Sequence, residues 1–96
     1  MASKAANELR RAVRIVNQKG LHARASAKFV NAVAGMDDCR VEVCREGNSA
    51  GGGSILGLMM LGAARGDTIE IVVAGKDAEA RLDLLTALVA DGFGES

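Results

Sequence analysis

The chain has a single histidine, His22, and an arginine stands two positions on at Arg24. An imidazole changes charge near neutral pH and can act as a nucleophile. A guanidinium presents a planar fork that matches phosphate oxygens. If His22 opens a helix, the first backbone N–H groups there lack intrahelical partners and the dipole favours an anion. The same dipole disfavours imidazolium and keeps a ring nitrogen unprotonated. A neutral ring, free N–H donors and one guanidinium describe a place that could accept a phosphoryl group. No carboxylate lies within a turn of His22 in sequence, so nothing nearby predicts an activated water. On these residues alone, a histidine that merely caps a helix stays the competing reading.

Other chemistries find little support. Cys39 and Cys44 fall on one predicted strand, where five residues separate them by roughly 16 Å and odd spacing turns them to opposite faces. No disulfide joins them in that state, and with one histidine beside them no metal site is expected. Gly51-Gly52-Gly53-Ser54 lacks the lysine end of a P-loop, so no nucleotide and no cofactor is predicted. Twelve basic and twelve acidic residues cancel, and Phe29 and Phe93 are the only aromatics. A nucleic-acid binder would need a positive field and stacking surfaces, so that class is set aside. No apolar run reaches membrane-span length, and the first residues lack a signal-peptide core, so a cytoplasmic protein without membrane insertion is expected.

The elements that must position His22 follow from periodicity. Ninety-six residues suit one domain: residues 1–10 read as a flexible polar lead-in, 11–96 as a single folded unit. Arg11 to Val16 alternates as a strand with Val13 and Ile15 inward. Asn17 to Gly20 is a turn. Ala23 to Ala34 carries a helical stripe of Phe29, Val30 and Val33, with Gly35 suited to a left-handed stop. Cys39 to Arg45 is a second strand, with Cys39, Val41 and Val43 inward and Cys44 outward. Glu46-Gly47-Asn48 predicts a hairpin turn in which Gly and Asn take positive φ, with a short third strand around Ser49 and Ala50.

Ser54 is a good N-cap for a short helix from Ile55 to Leu61. A loop from Gly62 to Asp67 leads to a fourth strand, Thr68 to Val73, with Ile69, Ile71 and Val73 inward. Asp77 is expected to cap a last helix whose buried stripe is Ala78, Leu82, Leu85 and Val89, ending at Gly92. The order βαββαβα implies an α+β fold: an open-faced two-layer sandwich, with a four-stranded antiparallel sheet covered on one face by three helices.

Gly20-Leu21-His22-Ala23-Arg24, continuing through Ala25-Ser26-Ala27-Lys28-Phe29-Val30, resembles the active-site signature of the HPr family. These are histidine phosphocarriers of the bacterial phosphoenolpyruvate-dependent phosphotransferase system. Ser54 to Gly62 resembles the family's regulatory-serine segment, and Gly66-Asp67-Thr68 matches as well. The likeness runs from about Val13 to Val89, with two separate motifs in the expected order.

The resemblance implies that His22 takes a phosphoryl group from phosphorylated enzyme I and passes it to an enzyme II A-type protein, with Arg24 stabilising the group. Such a chain is a protein substrate in a relay and not a free-standing enzyme. Ser54 would be the residue phosphorylated by an HPr serine kinase/phosphorylase in bacteria that have one; it would equally serve as a plain helix cap. Ile55, Leu56 and Met59 would form a partner-docking patch beside His22, while Leu58 and Leu61 turn inward.

The pattern departs from the family at Ala25, where proline is usual, which predicts a less rigid first turn. It departs again at Gly53, where many relatives carry lysine. Asp91 to Glu95 looks more like the nitrogen-related branch than the sugar-uptake one. The rival reading is therefore a regulatory docking module whose phosphorylation state sets partner binding. A monomer is expected.

Overall fold

The computed structural model describes residues 8–95. Strand β1 runs Glu8–Arg14, helix α1 Ala23–Ala34, β2 Cys39–Arg45, β3 Asn48–Gly51, α2 Ile55–Met60, β4 Thr68–Gly75 and α3 Ala78–Ala90, followed by a single 3-10 turn at Gly92–Gly94. The sheet order is β1-β4-β2-β3, and each neighbouring pair is antiparallel. This is the α+β sandwich expected from the alternation.

The most apolar strand, β4, takes an interior position. Its Ile69, Ile71 and Val73 are buried and pair in register with Val13 on one side and with Val43 and Val41 on the other. Phe29, Leu58, Leu82, Leu85 and Val89 cover that face from the three helices and are themselves buried. Full burial of a Leu or Val side chain contributes roughly 1.5–3 kcal/mol, so a few such residues hold each helix to the sheet. Val72 projects to the opposite face and is nonetheless buried. Its register neighbours are Arg10 and Glu42, long side chains whose stems can cover an apolar residue while their charged ends stay wet.

Several local expectations are corrected. Strand β1 begins at Glu8, three residues before the apolar alternation starts, because Glu8, Leu9 and Arg10 pair with Ala74, Val73 and Val72; backbone pairing needs no apolar side chain. Of the expected lead-in, residues 1–7 lie outside the described residues. Gly35 has φ −90° and closes α1 without left-handed geometry; the positive φ falls at Asp38, just before β2. In the hairpin, Glu46 (φ 50°) and Gly47 (φ 85°) are the central pair, while Asn48 already pairs with Arg45. Two consecutive positive φ values suit the twist of a two-residue hairpin loop.

Asp77 precedes α3 but makes no side-chain capping bond. Its backbone is left-handed, φ 55°, and not the extended conformation from which a carboxylate reaches the first-turn N–H groups.

Candidate functional site

His22 is placed by the turn before it and by the loop that joins α2 to β4. Gly20 has φ +64°, and a Cβ there would sit 2.3 Å from the Ala63 carbonyl oxygen. Only glycine fits both the left-handed backbone and that approach. The close contact lets Leu21 N–H donate to Ala63 O at 3.0 Å, while Asn17 Nδ2 donates to Gly20 O at 2.8 Å. Ile15 and Gly66 bond through their backbones in the same region. The turn from Asn17 to Leu21 is thus tied to the 62–67 loop, and His22 follows it directly.

His22 is the N-cap of α1. Its backbone is extended (φ −74°, ψ −178°), its carbonyl accepts from Ser26 N–H at 2.9 Å, and its Nδ1 accepts from Arg24 N–H at 3.3 Å. Ala25 and Ser26 are fully buried, and the Ser26 hydroxyl donates to Leu21 O. Ala25, where a proline would have been pre-set, is therefore held by burial of the first turn.

The carboxylate missing from the local sequence comes from elsewhere. Glu95 Oε2 lies 2.7 Å from His22 Nε2, and Glu95 Oε1 accepts from Asn17 Nδ2 at 3.1 Å. No carboxylate lies within a turn of His22 in sequence, and folding brings one from 73 positions away. The His22 hydrogen bond holds the Glu95 carboxyl below the usual carboxylate range; the Asn17 bond and the charges of His22 and Arg24 act in the same direction, against partial desolvation. An ionised carboxylate only accepts hydrogen bonds. Because Nδ1 accepts from the Arg24 N–H, the nitrogen left to donate toward Glu95 is Nε2.

The segment that delivers Glu95 is anchored by Phe93, which is buried and has φ 58°. A bulky residue in left-handed geometry is strained, and burial of the ring offsets that strain. Lys28 Nζ donates to the Phe93 carbonyl at 2.7 Å and ties the 3-10 turn to α1. Gly92-Phe93-Gly94 was the available sequence signal: an aromatic between two glycines reads as an anchored turn.

Arg24 is exposed and has no ion pair among the described residues. With Gln18, Lys19 and Lys28 it lines an open cleft of about 360 Å³ that Glu95 also borders. Three cations around one carboxylate leave a positive surface beside the ring. Sequence reasoning found Arg24 and missed Lys19 and Lys28, whose role depends on the turn and α1 converging.

Ser54 caps α2: its Oγ accepts from Gly57 N–H at 2.9 Å, and the residue is exposed. Leu58 and Leu61 are buried as predicted, whereas Ile55, Leu56 and Met59 are exposed. Met60, which the periodicity left unassigned, is 77% exposed and extends the same apolar surface, exceeding Leu56 at 67%. Helices α1 and α2 are in contact, so this surface and the His22 turn belong to the same helical layer. No helix among the described residues is long and apolar enough to cross a membrane.

Comparison with known proteins agrees with this arrangement. Residues 9–91 match the family described as "PTS HPr component phosphorylation site". The chain is 42% identical to the phosphocarrier protein HPr of Cupriavidus necator over 91% of its own length and 97% of that protein. It is 39% identical to the phosphocarrier protein NPr of Shewanella violacea, over 93% and 97% of the two chains. Among solved structures, HPr-C-His from Thermoanaerobacter tengcongensis superposes with a TM-score of 0.85 at 30% identity, covering 92% of this chain and 98% of that one.

Proposed function

We propose a phosphoryl relay through His22 from the premise that this chain belongs to the HPr family of phosphocarrier proteins of the phosphotransferase system. His22 accepts the group from phosphorylated enzyme I and yields it to an enzyme II A-type protein in the cytoplasm. The observation that carries this reading is the ring itself. His22 caps α1, with Nδ1 turned to the first-turn N–H and, close in sequence, Arg24, which has no ion pair among the described residues. Such a place offers an incoming phosphoryl group a nucleophile, backbone donors and a guanidinium. Transfer between two surface histidines asks for positioning and charge stabilisation, and no enclosed cavity is needed.

The test is intact-protein mass spectrometry after incubation with phosphoenolpyruvate and a bacterial enzyme I. One acid-labile phosphoryl group is expected on the protein and none on His22→Ala. Absence of the group with several enzyme I sources would overturn the relay.

A second reading is favoured by a specific observation, the exposed row Ile55, Leu56, Met59 and Met60. It makes the protein a docking regulator of the nitrogen-related branch, with His22 phosphorylation setting partner binding; the similarity to an NPr protein supports it. Loss of partner binding when Leu56 becomes charged, with His22 intact and unphosphorylated, would favour this reading. Ser54 belongs to both as the site of a serine kinase, since the residue is exposed and directly precedes the helix that carries that surface.

A further inference from the structure

We infer that Arg45 is a positioning residue for the transfer: it fixes the end of α2 and the 62–67 loop to one another, and through that loop sets where His22 stands relative to the α2 surface. The inference rests on the relay reading above.

Arg45 breaks the pattern of its own strand. Val41 and Val43 of β2 turn toward the helical layer and are buried. With a side-chain period of two, Arg45 turns the same way. Yet it carries a charge, and its side chain is only 21% exposed. A charge on the core side of a sheet is costly unless it is paired and hydrogen-bonded, and such breaks of local pattern concentrate at functional places. Its Nε is buried with no hydrogen-bond partner among the described residues, so the placement is carried by what the other two nitrogens hold.

Nη1 donates to the Leu61 carbonyl at 3.1 Å. Leu61 is the C-cap of α2, whose last turn has no basic residue of its own. A cation at that end meets open carbonyls and the negative end of the dipole. Nη2 lies 3.0 Å from Asp67 Oδ2, and the same oxygen accepts from Ala64 N–H at 2.8 Å. The Asp67 carbonyl accepts from Ile15 N–H, and Ala63 O accepts from Leu21 N–H at 3.0 Å, one residue before His22. A path of contacts thus runs from the end of α2 through one guanidinium and one loop to the turn that carries the ring. The Glu46 carboxylate, 3.7 Å from Nη1 and 77% exposed, adds little.

The role of this clamp follows from the geometry of transfer. A partner seated on the α2 surface presents its phosphoryl group at a place fixed relative to α2, and the ring must stand in line with it. A misplacement of about 1 Å can slow such a step roughly 100-fold. Packing of α1 on α2 brings ring and surface near; the clamp holds the turn that starts α1.

The experiment uses the full chain with Arg45→Met, which keeps an apolar stem and removes the fork. Arg45→Lys keeps the charge, but a single ammonium cannot reproduce the planar fork that reaches Leu61 O and Asp67 together. Ile71→Ala, a core truncation outside the path, is the comparison. Phosphorylation by enzyme I and phosphoenolpyruvate is followed below the unfolding temperature of every variant. In Arg45→Met, kcat should fall roughly tenfold with KM within about twofold of wild type. Arg45→Lys should lie between the two, and Ile71→Ala should keep the wild-type kcat. Adding Asp67→Asn to Arg45→Met should slow transfer no further, since the two act as one pair. The Leu21 amide should exchange its hydrogen faster in Arg45→Met than the change in global stability accounts for.

A wild-type kcat in Arg45→Met would overturn the inference, as would unchanged Leu21 exchange or a loss confined to KM. An equal loss in Ile71→Ala would do the same, because the effect would then be one of stability alone. If Arg45→Met does not fold, Arg45→Lys decides by the same readings. If wild type takes no phosphoryl group, the relay reading fails and this inference with it; if wild type is phosphorylated and Arg45→Met matches it, the relay stands and Arg45 alone is cleared.

Discussion

Glu95 follows His22 by 73 positions, yet its Oε2 sits 2.7 Å from His22 Nε2. The pair links the N-terminus of α1 to the segment after α3, and it makes the candidate site a product of two distant parts of the chain. Its first consequence concerns pH. The folded-state Glu95 carboxyl is held below its ordinary value, chiefly by the His22 hydrogen bond. For a carboxyl so depressed, the stabilising contribution is fully present above the unfolded-state pKa and is lost as pH falls through the folded one. The groups facing it are His22, Asn17 and Arg24. Carbon-13 NMR should show Glu95 titrating below an ordinary glutamate, and His22→Ala should return it toward the usual range. An unshifted Glu95 in wild type would mean the pair does not persist in solution.

Gly20 admits no side chain. Gly20→Ala forces a Cβ toward Ala63 O, 2.3 Å away, on a left-handed backbone. Destabilisation of about 1–3 kcal/mol is expected from urea unfolding. Phosphoryl uptake should fall as well, because the turn carries His22. A variant as stable and active as wild type would show that the 62–67 loop is not what positions the ring.

Arg24 is free of any ion pair among the described residues, so stability and transfer should separate. Arg24→Ala should change unfolding free energy by no more than about 0.5 kcal/mol. Phosphoryl transfer should slow on the order of 100-fold if its guanidinium meets the transferred group. Equal transfer rates would remove Arg24 from the site.

Ser54 holds the first turn of a six-residue helix. Ser54→Ala should cost about 1 kcal/mol, read by thermal or urea unfolding. Ser54→Asp retains a capping oxygen and should recover most of that loss while placing charge beside the apolar surface. Weaker partner binding in Ser54→Asp than in Ser54→Ala would separate the effect of charge from that of the cap.

Leu56 and Met60 bury little in the free protein. Leu56→Glu and Met60→Glu should leave stability within about 0.5 kcal/mol of wild type. Binding to enzyme I, followed by calorimetry, should weaken at least tenfold, about 1.4 kcal/mol. Unchanged affinity in both variants would mean that docking uses another face.

The local features of this protein were legible in its sequence because local physics decides them. Alternation in Cys39 to Arg45 and Thr68 to Val73 gave strands. The stripe Ala78, Leu82, Leu85 and Val89 gave a helix face, and Ser54 and His22 announced helix starts. Those signals depend on neighbours a few positions away, and a sequence keeps them visible. Asp77 and Gly35 misled because a residue type that suits a cap or a stop does not choose the backbone conformation it receives; the adjoining packing does.

The site as a whole was a tertiary decision. Lys28 and Phe93, Asn17 and Glu95, and Gly20 and Ala63 are joined by hydrogen bonds or close approach across long stretches of chain, and no periodicity encodes such a meeting. The sequence by itself supplied the nucleophile, the guanidinium, the serine cap and the order of strands and helices. The carboxylate that meets Nε2 of His22 arrived only when folding brought α1 beside the segment after α3, because a hydrogen bond depends on distance in space.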